Sequence, residues 1–460
     1  MSNAIAPLDL SWLLLETPAG TTHVGAMLLF EKPAGRRTIV REIVAAYRAQ
    51  RPAPPFDYVP ELIGAGAPHF REVDDWDPHY HVAHLALPPG SSYDDLLRLV
   101  ADLHEPMLDR DRPLFRCWVI DGVPGGRFAI YTKTHHSIID GVSGLKKLYD
   151  GLSLTDEPTV LPPAFAQTGP PSTPHKPPPV LRRLTDTLRG VITQVGAINQ
   201  ISFGALRKGL GAALGSHLEG SLPFVARHSP TNVPLKQARS FATVSLPLEE
   251  MHQIGHRFGA TLNDVAATVI DHGLHAYLRE RGGDYDHEFI AMVPVSLRGE
   301  DDGAIGTRVS AMFVRLGSPG ADISERLQQV VHSVAAAKKE LGAMSPDTAM
   351  TYAVALIALA GAAATTHLDR IGRPACNLVI SNVPGAREPR YLSGAPLVGI
   401  FPVSALAAAI GLNVTLSSYR DHMDFGFVSN AAAIDDARAL AEHTRQAYAD
   451  LKAAAKETAS

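Results

Sequence analysis

An α/β fold in two domains is what the chain predicts, on three observations. Its 460 residues, 45% of them hydrophobic, exceed the size at which a single core usually stops growing. Strand-like runs alternate with helical patterns through both halves. Eight prolines crowd between Pro162 and Pro179, which forbids a continuous helix or a central strand and marks a crossover between units. The expected division is residues 1–158 as a first domain, 159–235 as a proline-rich linker with connecting amphipathic helices, and 236–460 as a second domain.

Within the first domain, Val24 to Phe30 and Cys117 to Ile120 read as strands and Tyr93 to His104 as a helix. The run from Phe128 to His135 alternates larger apolar or β-branched residues with others, which predicts a strand whose neighbouring side chains face opposite ways. Only one of His135 and His136 can therefore face a given pocket. Asp140-Gly141 follows as a turn, where the missing side chain of Gly141 lets the carboxylate fold back toward the strand end. Val142, Leu145, Leu148, Tyr149 and Leu152 then fall at helical spacing. Strand, turn and helix thus gather a base and a carboxylate within His135 to Gly141, a pattern suited to acyl transfer.

The linker carries an apolar stripe at Leu181, Leu184, Leu188, Val191 and Val195, beside Arg182, Arg183 and Arg189. Such a helix either packs on a domain or lies on a membrane surface. In the second domain, strands are expected at Phe241 to Leu246, Phe289 to Val295, Arg308 to Leu316, Asn377 to Ile380, Gly411 to Ser417 and Met423 to Val428. Helices are expected at Leu248 to Phe258, Asn263 to Arg279 and Ala431 to Ala455, with Asn263 and Asp264 as capping side chains of the second. Thr348 to Thr366 is uncharged and nearly bilayer length, yet rich in Ala, Thr and Gly, which favours a buried or groove-lining helix over a span.

Composition narrows the function. A formal charge of -5 and the lack of a basic stripe interleaved with aromatics argue against nucleic acid as a partner. Two cysteines, Cys117 and Cys376, cannot build a disulfide framework and suit a reducing compartment, so the expected home is the cytoplasm. The start lacks the basic head and apolar core of a signal peptide. His136 and Asp140 lack the further ligands a zinc site needs, so no metal is expected. Gly141-Val-Ser-Gly144 falls short of a serine-hydrolase elbow, and no phosphate-cradling glycine loop is present. A neutral imidazole can take a proton from a hydroxyl that attacks an acyl carbonyl, and His136 is the candidate base. The rival reading is a hydrogen-bonded core histidine.

His135 to Gly141 matches the HHxxxDG motif of the CoA-dependent acyltransferase superfamily. Asp9-Leu-Ser-Trp-Leu, Arg112-Pro-Leu-Phe115, Thr261-Leu-Asn-Asp264, Val293-Pro-Val-Ser-Leu-Arg298, Ser381-Asn-Val-Pro-Gly385 and Gly411-Leu-Asn-Val, with Ser418-Tyr419, narrow this further. In order and spacing they resemble bacterial wax ester synthase/diacylglycerol acyltransferases over nearly the whole chain.

That resemblance implies two chloramphenicol-acetyltransferase-like α/β domains with the active site at their interface. It implies direct transfer from acyl-CoA, as a substrate and with no cofactor, to diacylglycerol or a long-chain alcohol, with peripheral contact at the inner membrane or lipid droplets left open. The family's base carries onto His136 and its structural aspartate onto Asp140, with Arg298 as the candidate partner and His135, Gly141 and Asp264 in support. Asn263 is either a donor to the transition-state oxyanion or a helix cap. Phe115 and Thr307 depart from the family's Trp and Asn. Two other readings stand beside this one: a polyketide- or peptide-associated acyltransferase of the same superfamily, and a non-catalytic lipid-droplet protein.

Overall fold

A computed structural model describes residues 4–63, 67–168, 223–283, 285–296, 309–344, 352 and 372–457. The Leu181 to Val195 stripe, Arg298, Thr307 and nearly all of Thr348 to Thr366 lie outside the described residues.

The first half runs α1 (Pro7–Leu15), β1 (His23–Glu31), α2 (Ile39–Arg48), β2 (Tyr58–Glu61), β3 (His69–Glu72), α3 (Pro78–His81), β4 (Val82–Ala86), α4 (Tyr93–His104), β5 (Phe115–Val123), β6 (Arg127–His135) and α5 (Gly141–Asp150). The second half runs β7 (Arg239–Pro247), α6 (Leu248–Phe258), α7 (Leu262–Glu280), β8 (Ile290–Ser296), β9 (Val309–Arg315), α8 (Ile323–Gly342), β10 (Leu378–Val383), β11 (Tyr391–Leu392), β12 (Ala395–Val403), β13 (Leu412–Tyr419), β14 (His422–Asn430) and α9 (Ala437–Glu457).

Among the described residues these strands form two six-stranded sheets, ordered β11-β12-β1-β6-β5-β4 and β7-β14-β13-β10-β8-β9, beside the small β2-β3 ribbon. The second sheet buries one face, including Ala291, Val314, Ile380 and Val414, against α6 to α9. The first sheet buries one face, including Leu28, Phe30, Val119 and Ile130, against α1, α2 and α5. Its other face, with Met27, Trp118 and Tyr131, packs on α4.

The expected second unit, 236–460, is interrupted by β11 and β12, which belong to the first sheet. β12 pairs antiparallel with β1 from Gly25↔Val403 to Phe30↔Leu397. The chain then returns to the second sheet through β13. This crossing ties the two sheets covalently and by contact. Asp424 of β14, fully buried, accepts from the Ile400 amide at 2.8 Å and from Ser245 Oγ.

Two element starts also differ from expectation. Thr261, not Asn263, caps α7, because its hydroxyl accepts from the Asp264 amide while the Asp264 carboxylate accepts back from the Thr261 amide at 2.8 Å. α9 begins at Ala437 rather than Ala431, since the Asn430 carbonyl closes turns with the amides of Ala433 and Ile434 first.

Gly426 sits where β14 passes under β12, and a Cβ there would lie 1.9 Å from the Pro402 carbonyl oxygen. Gly426→Ala is therefore expected to destabilise the fold by about 1–3 kcal/mol through overpacking. Urea unfolding of the purified variant checks it, and an unchanged midpoint would show that the two sheets can separate at this crossing.

Candidate active site

The alternation of β6 divides its side chains as the sequence predicts. Thr132, Thr134 and, one residue past the strand, His136 line a cavity of about 890 Å³. Tyr131, Lys133 and His135 are buried away from it. The Lys133 ammonium donates to the carbonyls of Leu103 at 3.0 Å, His104 at 3.3 Å and Pro106, closing the end of α4. Burial brings its pKa down to about 7.

His135 is locked by three neighbours, Ser137, Thr22 and Glu16. The Ser137 amide donates to its Nδ1 at 3.1 Å, so that nitrogen is an acceptor and the ring proton sits on Nε2. Nε2 in turn lies 3.0 Å from Thr22 Oγ1, which donates to the Trp12 carbonyl at 3.1 Å. The fully buried Glu16 carboxylate lies 3.5 Å from the same Nε2 and also accepts from Arg110 at 3.0 Å and the Thr22 amide at 3.2 Å. Burial alone would raise the Glu16 pKa, but His135, Arg110 and the Thr22 amide outweigh it and hold the carboxyl below its usual value.

His136 is held differently. Its amide donates to the Thr22 carbonyl at 2.9 Å, and its ring stacks on Trp12 with centroids 4.6 Å apart and planes 20° apart. Nδ1 is buried and bonds to no other residue. Burial lowers the His136 pKa, against the opposing pull of its own carbonyl and of Asp140. A neutral imidazole facing an apolar cavity can accept a proton from a hydroxyl.

Asp140 is buried and caps α5, accepting from the Ser143 amide at 2.8 Å. Gly141 is the first residue of α5 and has no left-handed φ, so the turn does not need its freedom. A Cβ at Gly141 would meet only Val383 Cγ2 at 3.7 Å, and the glycine instead leaves open space in the cavity wall. Asn263 is exposed and outside that wall, but its Oδ1 accepts from Asn382 Nδ2 at 2.6 Å, and Asn382 does line the cavity. Asp264 is buried in the α7 cap. The turn after Asn382 requires its glycine, because a Cβ on Gly385 would lie 1.8 Å from the Ser418 carbonyl oxygen. Cys117 is buried, and its thiol is pushed up to about 12, which removes it as a nucleophile.

The second sheet completes the enclosure. Met292, Phe313, Val379 and Thr415 line the cavity from the face opposite α6 to α9, so the site lies between the sheets. Trp12, Glu16, Thr22 and Asn382 were not singled out individually from the sequence. Trp12 and Asn382 stand within the segments that carry the resemblance, while the buried Glu16 and Thr22 had no local signal.

A buried imidazole of an HHxxxDG motif at the wall of a large apolar cavity between two sheets is an arrangement suited to acyl transfer. Residues 5–266 match the wax ester synthase/diacylglycerol acyltransferase catalytic domain, and residues 305–452 match the C-terminal domain of the same family. The chain belongs to this family. It is 34% identical to a probable diacylglycerol O-acyltransferase of Mycobacterium tuberculosis, Tgs4, over 99% of this chain and 97% of that one. It is 33% identical to a second from that organism, Tgs2, over 97% of this chain and 98% of that one. Among solved structures it is similar to the wax ester synthase/diacylglycerol acyltransferase from Marinobacter aquaeolei VT8, at 26% identity and a TM-score of 0.79, over 99% and 100% of the two chains. The first condensation domain of the CDA synthetase, at 17% identity and a TM-score of 0.55 over 98% and 96% of the two chains, shares the fold.

Removing the Asp140 cap by Asp140→Ala is expected to cost about 1 kcal/mol or more of stability and to lower turnover together with it. A thermal melt paired with an activity assay checks this, and full stability alongside lost activity would make Asp140 a participant in the chemistry instead.

Proposed function

We propose that this chain transfers a fatty acyl group from acyl-CoA to the hydroxyl of diacylglycerol or a long-chain alcohol, forming triacylglycerol or wax ester, with His136 as general base. The observation that carries it is His136 at the wall of an apolar cavity that both sheets line. His136 Nε2 takes the hydroxyl proton as the oxygen attacks the thioester carbonyl. The new C–O bond forms, the C–S bond breaks, and the imidazolium returns its proton to the departing CoA thiolate. No acyl-enzyme is needed. The oxyanion of the tetrahedral intermediate requires a donor, and we assign that to the Asn382 side, with Asn263 orienting the Asn382 amide through their hydrogen bond.

On this reading Asp140 holds the α5 end that follows the base. His135 carries no proton transfer but anchors the strand end through Glu16, Thr22 and Ser137. Arg298 remains our proposed partner for Asp140. The two units correspond to chloramphenicol-acetyltransferase-like domains with the site at their interface. We place the reaction in the cytoplasm, at the surface of the inner membrane or a lipid droplet where both chains are found. Support for the compartment is the pair of buried, unpaired cysteines.

Purified protein incubated with palmitoyl-CoA and either hexadecanol or diolein is expected to yield ester and stoichiometric free CoA. Absence of both products would sink the proposal. His136→Ala should lose about 10²- to 10⁴-fold in kcat.

The base must be neutral to act, and burial lowers its pKa. Activity should therefore hold as pH falls through the ordinary histidine value and decline only at lower pH. An acid limb centred above the ordinary value in a kcat/KM profile would contradict the assignment of His136.

A further inference from the structure

The cavity extends from His136 along the first sheet, and the side chains in register across that sheet change size abruptly. Thr132 pairs with Ala26 on one side and Cys117 on the other, and Ala26 pairs with Pro402. All four of these small or compact residues line the cavity. One step further along the same face, Ile130 pairs with Leu28 and Val119, and Leu28 with Ile400. None of these four reaches the cavity, and each is at most 3% exposed. The roof over the open part comes from Leu8, Leu145 and Leu148. Phe115, opposite Thr134, stacks on Phe165 at 5.0 Å and makes a side wall.

We propose that this lobe measures an alkyl chain, with the Ala26, Thr132, Cys117 and Pro402 row as its last open layer and the Leu28, Val119, Ile130 and Ile400 row as its closed end. The inference rests on the acyltransferase reading and adds the residues that set chain length. At about 3.4 Å per residue, the open row lies about 14 Å from His136 along β6 and the closed row about 20 Å. Carbon–carbon bonds of about 1.5 Å at tetrahedral angles advance about 1.25 Å each, so the lobe holds about 11 to 16 carbons in extended form. Among the described residues, none of the side chains named along this path is charged, which suits methylenes and excludes a charged head. Either the acyl chain or the alcohol chain has this chemistry, and the two can be told apart by varying one at a time.

The test is ester formation by Cys117→Leu and Ile130→Val, with acyl-CoAs from butyryl to stearoyl against one short alcohol, then alcohols from butanol to octadecanol against one short acyl-CoA. Cys117→Leu fills the last open layer, so in one of the two series the ratio of hexadecyl to octyl turnover should fall by about tenfold or more. Ile130→Val opens the layer beyond and should raise that ratio in the same series. The series that responds identifies the chain the lobe holds. Circular dichroism establishes that each variant is folded. Folded Cys117→Leu with unchanged ratios in both series, or with an equal fall at every length, overturns the inference. Should Cys117→Leu fail to fold, Ile130→Val decides alone, and an unchanged ratio overturns it. Wild-type protein that makes no ester from any pair overturns the acyltransferase reading, whereas wild-type activity with length-independent variants overturns only the assignment of the lobe.

Discussion

The antiparallel pairing of β1 with β6, in unbroken register from His23↔His135 to Glu31↔Arg127, is the constraint on which the site depends. Because side chains alternate on a strand, a register slip of one residue would exchange the faces of all of them. His136 would leave the cavity and His135 would enter it. The register is fixed at the site end by Thr22, whose carbonyl accepts from the His136 amide while its hydroxyl bridges the His135 ring and the Trp12 carbonyl. One residue thus places both histidines, and the helix that carries Trp12 follows from the same contact. Glu16 adds to this by giving the buried Nε2–H of His135 an anionic neighbour, in a place where an unpaired donor would be costly.

The same sheet also binds the halves together. β1 has β6 on one side and β12 on the other, so the strand that sets the histidines is paired with a strand from the far half of the chain. Movement of the second sheet against the first must pass through β12, which Asp424 and the close approach at Gly426 hold to β14. The cavity wall formed by Met292 and Val379 is therefore positioned relative to His136 by the fold itself. This is how a site between two sheets keeps the precision that acyl transfer between two large substrates requires.

Local patterns in the sequence carried the strand, turn and helix around His136, because alternation and helical spacing are properties of neighbouring residues. That the two histidines face opposite ways follows from that alternation, whereas the choice of His136 as the one facing the pocket follows from the resemblance. β12 was not legible. Ala395 to Val403 shows no clean alternation, since the strand is buried along nearly its whole length, and its pairing with β1 joins residues far apart in sequence. The α7 cap was misplaced by two positions for a local reason: Asn263 and Thr261 are both good capping types, and only the reciprocal bond to Asp264 distinguishes them. Glu16 could not be recognised either, because a single acid before Thr-Pro looks like a solvated residue until its burial beside His135 is known. The link from Asn263 to Asn382 is of the same kind, joining a helix and a strand that lie more than a hundred residues apart in sequence.

Burial of His136 works in two directions. Desolvation weakens the imidazole as a base, and Asp140 and its own carbonyl offset this only in part. Yet the loss of basicity also keeps the ring neutral, the only form able to accept a proton. On the proposed mechanism the apolar wall that causes it would also keep water from the thioester, which would otherwise be hydrolysed in competition with transfer to the alcohol. Trp12, stacked on the ring, contributes to both effects: it removes solvent from one face and restricts rotation of the imidazole. A more exposed histidine would be a stronger base for the wrong nucleophile. For a transferase that must prefer a dilute lipid hydroxyl over water, a somewhat weaker base in a dry cavity is the better arrangement.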